Sequence, residues 1–156
     1  MKKVFIFYVL LLFSGVACAC GSDAQRESMA KRLYADIGMR KFVCGRDSCS
    51  MQDFEEGLQF NQYDESFRGR DLLVCLVESI LNSANSYAGV FVEKASEFEF
   101  KFISYGTGVK AGVGKNGALM ILEYSVSDHG NCDYSMNKYL WNGVDFVFIG
   151  SVSLRN

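Results

Sequence analysis

The spacing of apolar residues changes near Gly89 from about 3.6 to 2, which divides the chain into a helical part and a β part. Beyond this point the segment 96–104, SEFEFKFIS, alternates Phe98, Phe100 and Phe102 with charged residues. We predict that these three rings share the buried face of one strand, because successive side chains of a strand point to opposite faces. Such alternation is typical of antiparallel sheets that are covered on one side.

Two Asn-Gly pairs, at 116–117 and 142–143, interrupt the β part. Asn-Gly favours tight hairpins, because both residues tolerate a positive φ. Together with these turns, the alternation predicts six strands of one meander, near residues 89–93, 97–105, 108–114, 118–126, 134–141 and 144–153.

The N-terminal part predicts two or three helices. Ser22 and Gln25 have the spacing of a capping box before apolar residues at helical intervals, and Ser50 precedes a second, short candidate. The strongest helical pattern is the segment 72–89, LLVCLVESILNSANSYAG, which carries a broad apolar face after the potential cap Asp71. The predicted fold class is α+β, with two or three N-terminal helices packed on one face of a five- to six-stranded antiparallel meander.

Residues 1–19 have the order of a secretory signal peptide. Two lysines precede an apolar run, Val4 to Phe13, and the small residues Ala17-Cys18-Ala19. The run is too short to remain as a transmembrane helix. We therefore predict cleavage before Cys20 and one exported domain over residues 20–156, in the periplasm or cell envelope.

The charge balance argues against a nucleic-acid partner. Without Lys2 and Lys3 the 16 basic residues become 14, against 18 acidic residues, which gives a net charge of −4. A protein that binds nucleic acid needs a basic face to displace counterions.

Export places the remaining cysteines in an oxidising compartment, where disulfides persist. We predict the pairs Cys44–Cys49 and Cys75–Cys132, which would stabilise the fold by ~2 and ~4 kcal/mol in the chain-entropy estimate. This pairing leaves Cys20 over as a candidate for lipidation, and membrane contact is expected only through such an anchor. A structural lipoprotein is therefore one alternative function.

Two pairs of residues are candidates for binding a partner. Arg46 and Asp47 lie at the apex of the small Cys44–Cys49 ring, which would present them in a preorganised loop. Tyr139 and Trp141 share one strand face, so either both are buried in the core or both are presented as aromatic anchors of an interface.

No cofactor or metal site is predicted. The single histidine, His129, lies in one short turn segment with no second histidine elsewhere in the chain, whereas zinc requires several well-spaced ligands. Glu97, Glu99 and Glu123 are candidate carboxylates for a second alternative, a glycan-active hydrolase or a glycan-binding protein.

The segment 43–49, VCGRDSC, is similar in spacing to the short disulfide loop of the periplasmic inhibitors of vertebrate-type lysozyme. The similarity covers residues 44–49, and this loop lacks the histidine of that family. Export, disulfides and aromatic richness favour a small exported bacterial envelope protein that binds another protein. An inhibitor or immunity factor against a cell-wall-degrading enzyme is the function that we expect.

Overall fold

The computed structural model describes residues 20–45, 49–67, 70–80, 86–114, 118–126 and 134–154. Three helices come first: α1 (Asp23–Tyr34), α2 (Ile37–Cys44) and α3 (Met51–Glu56). Eight strands follow: β1 (Leu58–Phe67), β2 (Arg70–Ser79), β3 (Ser86–Lys94), β4 (Glu97–Gly106), β5 (Gly108–Val113), β6 (Leu119–Val126), β7 (Tyr134–Trp141) and β8 (Phe146–Leu154).

The strands form two antiparallel sheets of four strands each. The N-terminal sheet has the order β1-β2-β3-β4, and the C-terminal sheet has the order β5-β6-β7-β8. The helices pack on one side of the N-terminal sheet, and the C-terminal sheet packs on its other side. The prediction of a single five- to six-stranded meander is therefore wrong, although its six strands correspond to β3 to β8.

The helix starts follow the capping patterns in the sequence. The predicted capping box of Ser22 and Gln25 is present at the start of α1, and Ser50 forms a second capping box with Asp53 at the start of α3. The Asp36 side chain accepts a hydrogen bond from the Met39 amide and caps α2. Each cap satisfies amide groups that have no partner within the helix.

The long helix predicted after Asp71 is wrong, because most of this segment is β2 and β3. Cys75 and Val77 of β2 are buried against the helices, whereas Val74 and Leu76 are buried against the C-terminal sheet. A strand that is covered on both faces needs apolar residues at every position. Such a run also satisfies a helical spacing, and the sequence pattern alone did not separate the two structures.

The two sides of the N-terminal sheet form two separate cores. The core on the helix side is built around large side chains of the helices and of β3, including Met29, Leu33, Phe54 and Phe91. The core between the sheets contains Val90, Leu119 and Ile121. The protein therefore has three layers, in the order helices, N-terminal sheet and C-terminal sheet.

A β-bulge in β4 changes which face its side chains occupy. Val90 pairs with Phe102, but its neighbour Phe91 pairs with Phe100, so β4 has one extra residue at this point. Phe98 and Phe100 consequently pack on the helix side, and Phe102 packs between the sheets. The prediction that all three rings share one face is wrong, because a bulge reverses the alternation beyond it.

The chain passes from one sheet to the other at a tight corner between β4 and β5. The amide and the hydroxyl of Thr107 both donate to the Tyr124 carbonyl oxygen, at 2.6 and 2.9 Å. A Cβ atom at Gly106 would overlap this same carbonyl, so the corner requires glycine.

Two disulfides are present in the described part of the chain. The predicted Cys44–Cys49 pair is confirmed, and it closes the C-terminal end of α2. Cys75 is bonded to Cys20, so the predicted Cys75–Cys132 pair is wrong; Cys132 itself lies outside the described residues. The Cys75 side chain lies on the face of β2 that the helices cover, and Cys20 belongs to the same helix-side core.

The two disulfides indicate an oxidising environment outside the cytoplasm. None of the helices in the described ranges is long and apolar enough to cross a membrane. A lipid anchor on Cys20 would need the sulfur atom that is bonded to Cys75, so this disulfide and such an anchor exclude each other.

Candidate binding surface

The apex of the Cys44–Cys49 ring lies outside the described residues, and so do Arg46 and Asp47. The base of the ring is held in place from two sides. Gly45 ends α2 in the left-handed conformation, and the Tyr34 hydroxyl donates to the Cys49 carbonyl oxygen at 2.7 Å. The ring is thus anchored to α1 and α2, and the role of its apex in binding stays a prediction.

Tyr139 and Trp141 lie on the inner face of the C-terminal sheet. Trp141 is 6% exposed and packs against Phe146, with 5.0 Å between the ring centroids. Tyr139 lies between Phe102 and Phe148, and burial, followed by the nearby carboxylate of Glu123, raises the pKa of its hydroxyl. These two rings support the fold from inside, and the structure does not present them as surface anchors.

Lys101, the extra residue of the β4 bulge, connects the two sheets at their edge. Its side chain is only 4% exposed, and its ammonium group donates to the Val144 carbonyl oxygen at 2.8 Å. The same group lies 3.1 Å from Glu99, 3.2 Å from Asp145 and 5.3 Å from the centre of the Trp141 ring. This lysine fixes the β7–β8 hairpin against the N-terminal sheet, because a buried ammonium requires such partners.

Glu99 and Glu123 do not form a carboxylate pair suited to glycoside hydrolysis. Glu97 and Glu99 are exposed on β4, whereas Glu123 is buried on β6 and contacts Ser104. Ser104 is five residues from Glu99, which corresponds to about 16 Å along a strand. Glycosidases place their two carboxyl groups roughly 5 to 9.5 Å apart.

The buried carboxylate of Glu123 belongs to a polar chain that runs across the C-terminal sheet. It accepts hydrogen bonds from the Ser104 hydroxyl and, at 2.8 Å, from the Asn137 side-chain amide. Asn137 in turn accepts from the hydroxyl of Ser151 on β8. Each carboxylate oxygen therefore has a donor, which is the requirement for a buried charge in a stable fold.

A second carboxylate, Glu78, lies at the end of β2. Burial raises the pKa of this carboxyl group, and the hydrogen bond from the Asn61 amide at 2.7 Å partly opposes the rise. Burial and the nearby Glu78 charge also raise the pKa of the Tyr63 hydroxyl. This site makes the folded state sensitive to pH.

An open polar groove of about 450 Å³ lies between α1, α3 and β1. Its lining residues are Asp23, Arg26, Gln52, Glu55, Glu56, Leu58 and Phe60. The Arg26 side chain pairs with Asp23 at 2.8 Å within the first turn of α1. Across the described ranges, no group of three or more His, Cys, Asp or Glu residues is arranged to hold a metal ion.

The outer face of the C-terminal sheet is formed by the side chains of β5, β6 and β7 that point away from the N-terminal sheet. Three rows of cross-strand neighbours define this outer face: Gly112, Met120 and Leu140; Lys110, Leu122 and Lys138; Gly108, Tyr124 and Met136. None of these side chains belongs to either core. In the described part of the chain the helices pack on the opposite side of the molecule, so the outer face carries no further layer.

β8 continues this sheet as its last strand, and we call its side away from β7 the β8 edge. Four of its large apolar side chains are exposed: Val147 at 47%, Phe148 at 53%, Ile149 at 51% and Val152 at 38%. Val147 and Val152 lie next to the outer face, and Phe148 lies on the inner side against Tyr139. Exposed apolar residues that are grouped in this way mark interaction surfaces.

The sequence analysis did not predict either of these surfaces, although the segments FVFIGSVSL of β8 and LMILEY of β6 are rich in apolar residues. A continuous apolar run predicts that both faces of a strand are covered. For β2 both covering layers are in the chain itself. For β6 and β8 the described residues provide only one covering layer, and this can be recognised only when the strand order is known.

Comparison with known protein families, with curated proteins and with solved structures finds no match to this chain.

Proposed function

We propose that this chain is an exported protein of the cell envelope that acts by binding another protein through the outer face of its C-terminal sheet. The observation that carries the proposal is the apolar composition of that face. In keeping with the sequence, we further propose an inhibitor or immunity factor whose partner is a cell-wall-degrading enzyme.

The composition of β6 supports a covered outer face. Its inner side chains Leu119 and Ile121 fill the core between the sheets, while Met120 and Leu122 point outward. An antiparallel sheet with one face in water normally alternates apolar with polar residues. A second apolar face on β6 is stabilising only when a further layer removes it from water.

The charges on the outer face specify the chemistry of the partner. Lys110 and Lys138 flank Leu122 in the middle row, and no carboxylate lies in the three rows. Complementary potentials across an interface select partners and increase the association rate. The partner surface should therefore be apolar at its centre, with carboxylates beside it.

The size of the surface is consistent with a protein partner. Three strands spaced about 4.8 Å apart, with about seven residues each at roughly 3.3 Å per residue, span on the order of 330 Å². A standard protein interface buries about 800 Å² per partner, of which the apolar centre is only a part. The outer face has the dimensions of such a centre, with the surrounding loops as its rim.

Site-specific photo-crosslinking in the intact envelope tests the proposal. A photoreactive residue is placed in turn at Met120, Leu122 and Met136 on the outer face, and at Ile37, which is 61% exposed in the helix layer, as the control position. We expect one partner to be crosslinked from all three outer-face positions and not from Ile37. Crosslinking of that partner only from Ile37 would refute the proposed surface.

Charge reversal then tests the chemistry of the partner once its identity is known. We expect Lys138→Glu to weaken binding of the purified partner by at least tenfold, because it places a negative charge opposite the partner's carboxylates. The matched control is Lys94→Glu on the N-terminal sheet, whose side chain is 75% exposed. Equal affinities of the two variants would contradict the charge argument.

A further inference from the structure

The two sheets have four edge strands, β1, β4, β5 and β8. Alternate residues of an edge strand direct their amide and carbonyl groups away from the sheet, where another chain can pair with them. Natural proteins block such edges with charged side chains, with lysine in particular. Three of the four edges here contain charged residues: Asp64 and Glu65 in β1, Glu97, Glu99 and Lys101 in β4, and Lys110 in β5.

β8 is the exception among the four. Its nine residues, FVFIGSVSL, include no charged residue and no proline. One bulged residue, Ile149, is inserted next to Gly150, and its side chain is half exposed. The bulge bends the strand locally, but it adds no charge that would repel an incoming strand.

We propose that β8 pairs with β8 of a second copy of this chain, in antiparallel orientation about a twofold axis. The absence of charge favours this occupant. A twofold axis places the same strand opposite itself, so any charged residue near the axis would face a like charge. Apart from Gly150, each position of β8 instead offers a serine or an apolar side chain to the opposite strand, and such neutral pairs stabilise adjacent strands.

This pairing joins the two C-terminal sheets into one continuous eight-stranded sheet. With the twofold axis beside Ile149 and Gly150, Val147 of each copy lies opposite Val152 of the other copy on the outer side, and Phe148 lies opposite Ser151 on the inner side. The edge is about 30 Å long at roughly 3.3 Å per residue, which gives an interface at the small end of the usual range. The dimer is therefore weak and depends on protein concentration.

Sedimentation equilibrium of the purified exported chain tests the inference, from about 1 to about 500 μM, a range that covers weak association. The Cys132→Ser variant is measured in parallel, because that cysteine is outside the two disulfides and could link two copies covalently. We expect a reversible equilibrium between monomer and dimer in both proteins. A monomer at every concentration, or a dimer that is lost with Cys132→Ser, would overturn the inference.

Two lysine substitutions locate the contact. Val147→Lys and Ile149→Lys should each weaken dimerisation by at least tenfold. Ile149→Lys brings two like charges together beside the axis, and Val147→Lys places a charge against Val152 of the other copy. The matched control is Val113→Lys, which adds a lysine at a 43% exposed position on the opposite edge strand, β5. Dimerisation that is unaffected by both β8 variants, or weakened equally by Val113→Lys, would refute the assignment, provided that urea unfolding shows all variants to be folded.

The test is separate from that of the proposed function. The dimer involves the edge and the flanking side chains of β8, whereas partner binding was assigned to β5, β6 and β7. Partner crosslinking from Leu122 in a Val147→Lys variant that is monomeric would refute neither proposal and would show that the two surfaces act independently. If the dimer forms but no partner is crosslinked from Met120, Leu122 or Met136, the dimer inference stands and the proposed function is refuted.

Discussion

Removal of the Cys20–Cys75 disulfide should destabilise the protein by about twice as much as removal of the Cys44–Cys49 disulfide. This bond joins residues that are 55 positions apart and connects the chain before α1 to the central strand β2. Both side chains are fully buried in the helix-side core. The perturbation is the double variant Cys20→Ala/Cys75→Ala, which leaves no thiol behind from this pair.

The magnitude follows from the length of the loop that the bond closes. In the chain-entropy estimate, a separation of 55 residues corresponds to about 4 kcal/mol of stabilisation, and a separation of five residues to about 2 kcal/mol. The short Cys44–Cys49 ring therefore supplies the matched control, Cys44→Ala/Cys49→Ala. Since domains of this size are stable by only about 5 to 15 kcal/mol, the larger loss should be easy to measure.

Urea unfolding without reductant, followed by circular dichroism, provides the assay. With a slope of about 2 kcal/mol per molar urea, the midpoint should fall by about 2 M for the long-range pair and by about 1 M for the ring. A midpoint that is insensitive to Cys20→Ala alone but falls by about 2 M with Cys132→Ser would show that Cys75 pairs with Cys132 instead. That result would refute the disulfide assignment and the chain-entropy argument built on it.

Three further predictions concern single side chains, and urea unfolding measures all of them. Gly106→Ala should destabilise the corner between the sheets by about 2 kcal/mol or more, because the new Cβ overlaps a backbone carbonyl, whereas Gly112→Ala, with nothing within 4 Å, serves as the control and should have little effect. Lys101→Met should lose about 2 kcal/mol by removing charge-assisted hydrogen bonds of a buried ammonium, and Lys94→Met, at an exposed position, less than about 0.5 kcal/mol. Because the pKa of Glu78 is raised in the folded protein, the unfolded chain loses this proton first as the pH rises above the ordinary value of 4.5. The free energy of unfolding of the wild type therefore falls with rising pH until the carboxyl group in the folded protein has also ionised. Glu78→Gln should therefore gain stability over the wild type between pH 4 and pH 7, at about 1.4 kcal/mol per unit of pKa shift, and a constant difference across that range would contradict the assignment.

The strands of the C-terminal part could be predicted from the sequence because short-range rules determine them. Alternation in β4 and the Asn142-Gly143 turn correctly indicated strands and a hairpin, and Asn142 accepts hydrogen bonds from the Val144 and Asp145 amides in that turn. The other pair, Asn116-Gly117, lies outside the described residues, but the strands on either side of it, β5 and β6, pair as a hairpin. These features depend on neighbours in sequence, which a single chain reveals.

The arrangement of those strands could not be predicted in the same way. The run from Leu72 to Val77 satisfies both a helix and a doubly covered strand, and only the layer that packs on each face distinguishes them. The bulge opposite Val90 and Phe91 depends on the register with a neighbouring strand, which local spacing does not encode. The predicted helix after Asp71 and the predicted single face of β4 were therefore both wrong because they depend on contacts between residues that are distant in sequence.

The binding surfaces were hidden for a related reason. Arg46 and Asp47 were predicted as contacts because the spacing of Cys44 and Cys49 can be read directly from the sequence. The β8 edge can be identified only when the strand order is known. Tyr139 and Trp141 were recognised as a pair on one face, but which face is covered depends on the second sheet. A surface is a property of the packed layers rather than of a segment.

The buried position of Cys20 has a consequence for the order of events in the cell. The predicted cleavage point precedes a residue that is fully buried and covalently tied to the central strand. A protease needs an extended, accessible chain, which this end of the folded domain does not offer. If the predicted cleavage before Cys20 takes place, we therefore expect it to precede formation of the disulfide, so that processing of the chain precedes folding of the helix layer.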